Sequence, residues 1–360
     1  MKENEVFIIA EAGKNFIQSK KDRAVAEYLD NAKKLVDAAV YAGVDAIKFQ
    51  THEVEDEQLD INVVSPHFSG SDRYSWVKRN TEATPLGFWL ELRDYCRDRN
   101  IIFFSTPMSR KAAIKLEKVG VPFWKVGSGD VDDFVMLEYL VRTNKPITIS
   151  SGMVSHLELE AVMNYLKKNQ VETTLLYCVS LYPCPSERFN LGTLEYFKEQ
   201  YPWAKIGFSD HSRGFEAALA AIKLGARVIE KHLSLSRNLW GPDHKVSMEP
   251  EEMKNMVEAI RNKNYENINP ALFYGKKEKE LEGANNIFRN YFKKGLVAGE
   301  DIKKGSIVKK EMIYAMRPLF HIEQLGGLSS SKLPDIVGQK VAKSLTKYEP
   351  ITPLAIERKS

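Results

Sequence analysis

The chain has 360 residues, 43% hydrophobic and 28% charged, with a formal net charge of +4. That is ample material for a buried core and more length than one average domain. It excludes a membrane-spanning protein, because no apolar run approaches the roughly 20 residues a span requires, and a disulfide-stapled one, because Cys96, Cys178 and Cys184 make no framework.

The first apolar stretch, Val6 to Ala10, stops at Glu11 and is too short for the core of a signal peptide. A reducing, cytoplasmic setting is expected. Charge is uneven: net −4 over residues 1–260 and net +8 over 261–360. The lysines of the second part are dispersed and carry no nucleic-acid motif. They read as a solvated surface, with no nucleic-acid or membrane partner.

Eight short apolar runs follow one another, with helical segments between them. Val6 to Ala10 ends at Glu11, and a segment with apolar residues every three or four positions, 25–40, closes at Gly43. Ala46 to Gln50 is the second run. A long connection, 51–86, carries Pro66, His67, Gly70, Arg73, Tyr74 and Trp76, and its aromatics predict an ordered lid or interface. The third run, 101–104, leads into Ser105-Thr106-Pro107. The fourth, 123–126, follows a helix closed by Gly120 and leads into Gly127-Ser128-Gly129-Asp130. The fifth, 146–149, meets Ser150, and the sixth, 175–179, meets Ser180. The seventh, 206–208, leads to Ser209-Asp210-His211, and the eighth, 228–231, to His232. Helices are expected at 88–96, 111–119, 134–141, 157–166, 191–197, 215–224 and 249–262, the last opening at Pro250.

Eight strands alternating with helices predict a (β/α)8 TIM barrel over residues 1–263. Its active site belongs at the carboxyl ends of the strands, where the polar residues fall. Residues 264–290 are polar and read as a linker. Residues 291–360 show short strands broken by glycine, a module small enough to need a barrel to pack on.

His211 and His232 close neighbouring strands, and two imidazoles there suit Mn2+, Fe2+, Co2+ or Zn2+. The alternative is two hydrogen-bonded structural residues. His52 and His244 also fall near the mouth, whereas His67, His156 and His321 have no such placement. Lys48 and Lys125 lie inside strand runs, where an ammonium is costly unless an anion meets it. The anion is either a ligand or an internal carboxylate. Thr106, Ser128, Ser150 and Ser209 add neutral donors, which together describe a phosphate or carboxylate cradle. Glu11, Asp130, Asp210 and Asp243 are rim carboxylates for proton transfer, hydroxyl binding or support of a histidine. Tyr182, among prolines, lines a sugar site or shapes a loop. Cys178 reads as a small core residue, and Cys184 has no partner base.

At these residues the chain resembles the sialic acid synthase family. The matching segments include Glu11-Ala12-Gly13, Lys48-Phe49-Gln50-Thr51, Ser105-Thr106-Pro107, Lys125-Val126-Gly127-Ser128-Gly129 and Ser151-Gly152-Met153. Tyr182-Pro183, Ser209-Asp210-His211, Glu230-Lys231-His232 and Gly241-Pro242-Asp243 complete the barrel set. In the tail, Asp301-Ile302-Lys303-Lys304-Gly305, Arg317-Pro318 and Val337-Gly338-Gln339-Lys340 resemble the family's antifreeze-like domain of β-clip type, here 291–360. The likeness runs from about residue 6 to residue 356.

The resemblance implies condensation of phosphoenolpyruvate with an N-acetylated hexosamine, N-acetylmannosamine first, to give a nine-carbon 2-keto acid. A diacetamido-trideoxyhexose or a 6-phosphorylated sugar is the alternative acceptor. It implies that His211 and His232 hold a divalent ion, Mn2+ first and Mg2+ or Co2+ next, with Asp130 engaged through water. It implies that Lys48, Thr106, Lys125, Ser128, Ser150 and Ser209 hold phosphoenolpyruvate, and that Glu11, Gln50, Tyr182 and Asp243 address the sugar. Arg317 is implied to reach the acceptor from the partner of a domain-swapped homodimer. The chain departs from the family at Lys14-Asn15-Phe16-Ile17, where a histidine is usual, and at Leu319-Phe320-His321, where a glycine is. Another phosphoenolpyruvate aldol-type synthase and a non-catalytic carbohydrate-binding protein are the competing readings.

Overall fold

A computed structural model of the chain describes residues 5–66, 68–281 and 287–357. Eight parallel strands form one sheet, ordered β3-β2-β1-β8-β7-β6-β5-β4. They are β1 (Phe7–Gly13), β2 (Ala46–Thr51), β3 (Ile102–Pro107), β4 (Trp124–Val126), β5 (Ile147–Ser150), β6 (Thr173–Cys178), β7 (Lys205–Asp210) and β8 (Val228–His232). β3 and β4 lie side by side and close the ring, with Phe104 and Phe123 packed 4.4 Å apart between ring centroids. The expected TIM barrel is therefore present, with every strand within a few residues of its expected place.

Strand geometry decides which side chains meet where. Successive residues point to opposite faces. Phe49 and Phe103 face outward and pack with Trp89 of the helix Leu86–Asp98 at 6.1 and 6.2 Å. Phe16 fills the same aromatic layer, 5.4 Å from Phe88. Helix ends follow their sequence signals. Gly120 closes the helix Arg110–Val119 with φ +86°, and Pro250 opens Pro250–Arg261 inside a Glu249/Glu252 capping box.

Gly207 of β7 is required for a different reason: close approach. A Cβ there would lie 2.5 Å from both Leu176 Cδ2 and the Val228 carbonyl oxygen. Gly207→Ala should therefore destabilise the barrel by about 3 kcal/mol through overpacking, read as a lower denaturant midpoint with unchanged slope. An unchanged midpoint would mean that β6 and β8 give way freely.

The connection after β2 is ordered, as its aromatics predict, although His67 lies outside the described residues. It holds the helix Arg73–Ala83, capped by the Asp72 carboxylate, which accepts from Ser75 N at 2.9 Å. Trp76 packs on Phe68 and Trp240 at 5.1 and 5.6 Å.

The tail carries an antiparallel pair, β9 (Gly295–Ala298) and β10 (Ile313–Met316). It packs on the barrel of its own chain. Arg317 N donates to the Glu57 carbonyl at 2.8 Å, and Leu59 N donates to the Arg317 carbonyl at 3.0 Å. Val297, Tyr314, Met316 and Ile322 of the tail share an apolar cluster with Leu59 of the barrel's long connection. Part of the segment expected to be linker is also docked: Leu191 N and Gly192 N donate to the Phe273 and Tyr274 carbonyls, each at 2.8 Å. Residues 282–286 of that segment lie outside the described residues. Among the described residues, no helix is long and apolar enough to cross a membrane.

Candidate active site

Alternation along the strands delivers polar side chains to one end of the barrel. Glu11 comes from β1, Lys48 and Gln50 from β2, Thr106 from β3 and Lys125 from β4. Ser150 comes from β5, Cys178 from β6, Ser209 from β7, and Glu230 and His232 from β8. All of them line a single cavity of about 280 Å3. Ser128, Asp130, Tyr182, His211, Asp243 and Arg317 line it too, so of the expected rim carboxylates only Asp210 stays outside.

The two strand lysines are buried, and internal carboxylates meet both. Lys48 lies 2.6 Å from Glu11 and 3.7 Å from Glu230, and Lys125 lies 3.4 Å from Glu230. Lys48 also donates to the Thr106 hydroxyl at 3.1 Å, and Lys125 to the Ser150 hydroxyl at 2.6 Å. Ser209 donates to Glu230 at 3.1 Å. The two carboxylates are unequal. Burial would raise Glu230, but Lys125 and Lys48 override it and hold the group at about 2. Burial and the neighbouring Glu230 charge keep Glu11 above its ordinary value despite Lys48. Glu11 is thus the member suited to carry a proton, while Glu230 stays ionised. Glu230 was not marked as a site residue; its place two residues before His232 on the same strand is the signal that points to it.

His211 and His232 face each other with ring centroids 5.5 Å apart. Nδ1 of His211 donates to the Val179 carbonyl at 2.9 Å, so Nε2 is the atom that takes up a proton or a metal. Burial pushes His232 down to about 3, so its ring is neutral and able to ligate, and its buried Nδ1 has no hydrogen-bond partner among the described residues. Burial also acts to lower His211, but Cys178, whose Sγ lies 3.9 Å from Nδ1, keeps it above its ordinary value. A metal there would displace that proton. No further His, Cys, Asp or Glu completes a three-ligand set among the described residues. Two imidazoles with open positions fit a divalent ion that takes its other ligands from substrate and water.

Several residues differ from expectation. Cys178, expected as core filling, lines the cavity beside Ser128 and His211. Asp130 is not turned to the histidines: both its oxygens accept from Arg317 Nη2 at 2.6 Å, and Lys294 lies 2.9 Å away. The carboxylate whose charge bears most on His232 is Asp243 instead. Arg317 reaches the cavity from the tail of the same chain. It is fully buried, with Nη1 on Glu57 at 2.7 Å and Nε on the Phe292 carbonyl at 2.7 Å. Asp210 is structural, in a 2.7 Å buried pair with Lys231 on the outer face of β7 and β8. His52 pairs with Glu57, and His244 bonds to Ser234.

The departure after Glu11 also finds its reason. Phe16 belongs to the aromatic layer, and Asn15 donates to the Leu233 carbonyl and the Ser247 hydroxyl. Lys14 donates to Gln50 and lies 3.6 Å from Asp243, tying two sugar-side candidates together. Lys14 and Arg73 were not marked as site residues by pattern, because the connections between strands carry no register that aims their side chains.

Comparison with known proteins gives a consistent picture. The NeuB family model matches residues 35–268. The N,N'-diacetyllegionaminic acid synthase of Campylobacter jejuni is 32% identical over 95% of this chain and 97% of its own. The N-acetylneuraminate-9-phosphate synthase of Homo sapiens is 30% identical over 96% and 91%. The crystal structure of the spore coat polysaccharide biosynthesis protein spsE of Bacillus subtilis superposes with a TM-score of 0.79 at 29% identity, covering 100% of this chain and 97% of that one.

Proposed function

Because the chain belongs to the NeuB family, we propose that it condenses phosphoenolpyruvate with an N-acetylated hexosamine to give a nine-carbon 2-keto sugar acid and phosphate. It is a synthase of the nonulosonic acid class, and N-acetylmannosamine is the first acceptor to consider. The observation that carries the reading is the two buried lysines, with hydroxyl donors, beside two facing imidazoles in one cavity. A simple carbohydrate binder has no use for that combination.

In this reading Lys48, Lys125, Thr106, Ser128, Ser150 and Ser209 hold phosphoenolpyruvate by fixed charges and donors. Gln50, Tyr182, Asp243 and, at the edge, Arg317 face the sugar. His211 and His232 would hold a divalent ion, Mn2+ first and Mg2+ or Co2+ next, which supplies Lewis acidity toward the sugar's open-chain aldehyde. C3 of phosphoenolpyruvate forms a bond to the aldehyde carbon, water adds at C2, and the C–O bond to phosphate breaks. Glu11 exchanges the proton that the new hydroxyl requires, since its raised carboxyl can both hold and release one. Glu230 stays charged and keeps the lysines aligned. The tail is the antifreeze-like module of this reading, 291–360, joined by 264–290 to a barrel of 1–263. Exchange of tails between two copies would reproduce the same contacts across a homodimer. Three free cysteines suit a reducing cytoplasm.

The test is phosphate release from phosphoenolpyruvate with Mn2+ and with a chelator. The acceptors are N-acetylmannosamine, its 6-phosphate, a diacetamido-trideoxyhexose and phosphorylated aldoses without an acyl group, with product mass read in parallel. Metal-dependent release with a nine-carbon product is expected. Release only with phosphorylated aldoses lacking the acyl group would replace this reading with that of another aldol-type synthase.

A further inference from the structure

The loop guanidinium that the site does not consume is Arg73. It is 6% exposed and lines the cavity, yet its side chain makes no hydrogen bond or ion pair among the described residues, and its Nε is buried without a partner. Its guanidinium carbon lies 4.8 Å from the ring centroid of Phe292. A buried cation in that condition is costly until an oxygen acceptor arrives. Each carboxylate nearby is already engaged. Glu57 and Asp130 hold Arg317, Asp133 holds Lys294, and Asp243 lies against Lys14. Arg317, the arginine expected to meet the acceptor's acyl group, spends Nε on Phe292, Nη1 on Glu57 and Nη2 on Asp130, which leaves at most its second Nη1 hydrogen for a ligand.

We infer that Arg73 is the acceptor-positioning residue of this chain and donates to the amide carbonyl of the sugar's N-acyl group. The inference rests on the synthase reading above. The surroundings favour an amide over a phosphate. A phosphate subsite gathers several donors, whereas Arg73 stands among rings. Phe292 lies on one side, and Trp76, three residues on along the same helix, lines the cavity with Phe68 against it. Such a wall takes an acyl methyl while the guanidinium takes the carbonyl.

The experiment is steady-state kinetics of wild type, Arg73→Met and Arg73→Lys with N-acetylmannosamine and with its 6-phosphate, alongside calorimetric titration of N-acetylmannosamine. For Arg73→Met, the sugar KM should rise on the order of 10- to 100-fold, as for loss of a charge-assisted hydrogen bond. The KM for phosphoenolpyruvate should not change, and kcat should fall far less than KM rises. Arg73→Lys should recover part of the loss, and decides the matter if the Met variant folds poorly. The loss should be equal for both sugars. A loss confined to the 6-phosphate, or no change in either KM, overturns the inference. If wild type turns over neither sugar nor the diacetamido-trideoxyhexose, the synthase reading fails by itself, and the titration still decides this one: weaker N-acetylmannosamine binding by Arg73→Met upholds it, and equal binding overturns it.

Discussion

Lys48→Met should abolish turnover and cost about 3–5 kcal/mol of stability, the usual result of removing one partner from a buried ion pair. Lys48 is 3% exposed and serves Glu11 at 2.6 Å and Glu230 at 3.7 Å. Without it, the two carboxylates repel one another, and one of them must take up a proton. In the proposed function the same ammonium is half of the cradle for an anionic substrate, so fold and function are lost together in the single variant. A second substitution separates them. In Lys48→Met/Glu11→Gln, the uncompensated charge is gone and Gln50 still has an amide oxygen to meet. Stability should return most of the way, and activity should not. Thermal melts of both variants with single-turnover phosphate release provide the check. A single variant as stable as wild type would show that water, rather than Glu11, balances Lys48 in solution. A double variant that regains turnover would remove Lys48 from substrate binding.

Lys48 also shows how far the sequence can be read. An ammonium inside an apolar strand run demands an anion, and that much was legible from spacing alone. Which anion was not. β1 and β2 are neighbours through the helix Val25–Ala42 that crosses between them, and it is their register, which no pattern in the sequence fixes, that pairs Glu11 with Lys48. The strand-end residues were legible for the same reason: period-two alternation sends Thr106, Ser150, Ser209 and His232 to one face, and parallel topology collects those faces at one end. Residues that enter from connections were not. Arg73 lies in a long segment whose path no periodicity specifies. Asp130 could be placed at the rim, but not its partner 187 residues away. The likeness of the tail to a known module gave Arg317 its neighbourhood and left its bonding open. The bonding is what separates a substrate contact from a structural pin.

Arg317→Met should therefore act first on stability. Its guanidinium is enclosed by Glu57, Asp130 and the Phe292 carbonyl, and the backbone on either side is stitched to the barrel's long connection. Removing it leaves two carboxylates buried, with His52 and Lys294 as remaining partners. A loss of about 3–5 kcal/mol is expected, with hydrogen-exchange protection falling at the Leu59 and Arg317 amides that join tail to barrel. Acid behaviour supplies a second signature. Burial would raise Glu57, but His52 and Arg317 outweigh it and hold the carboxyl at about 2. A carboxylate depressed in the folded state binds fewer protons folded than unfolded between that value and the ordinary one near 4.5. Its contribution is therefore whole above pH 4.5 or so and is lost as pH falls toward 2. With Arg317 gone, that depression shrinks, so the variant's melting temperature should fall less steeply than that of wild type between pH 4.5 and 2.5. A variant with unchanged melting temperature and amide protection but a raised sugar KM would reverse the assignment. Arg317 would then be the acceptor contact, and its bonds to Glu57 and Asp130 would be a resting arrangement that the sugar displaces.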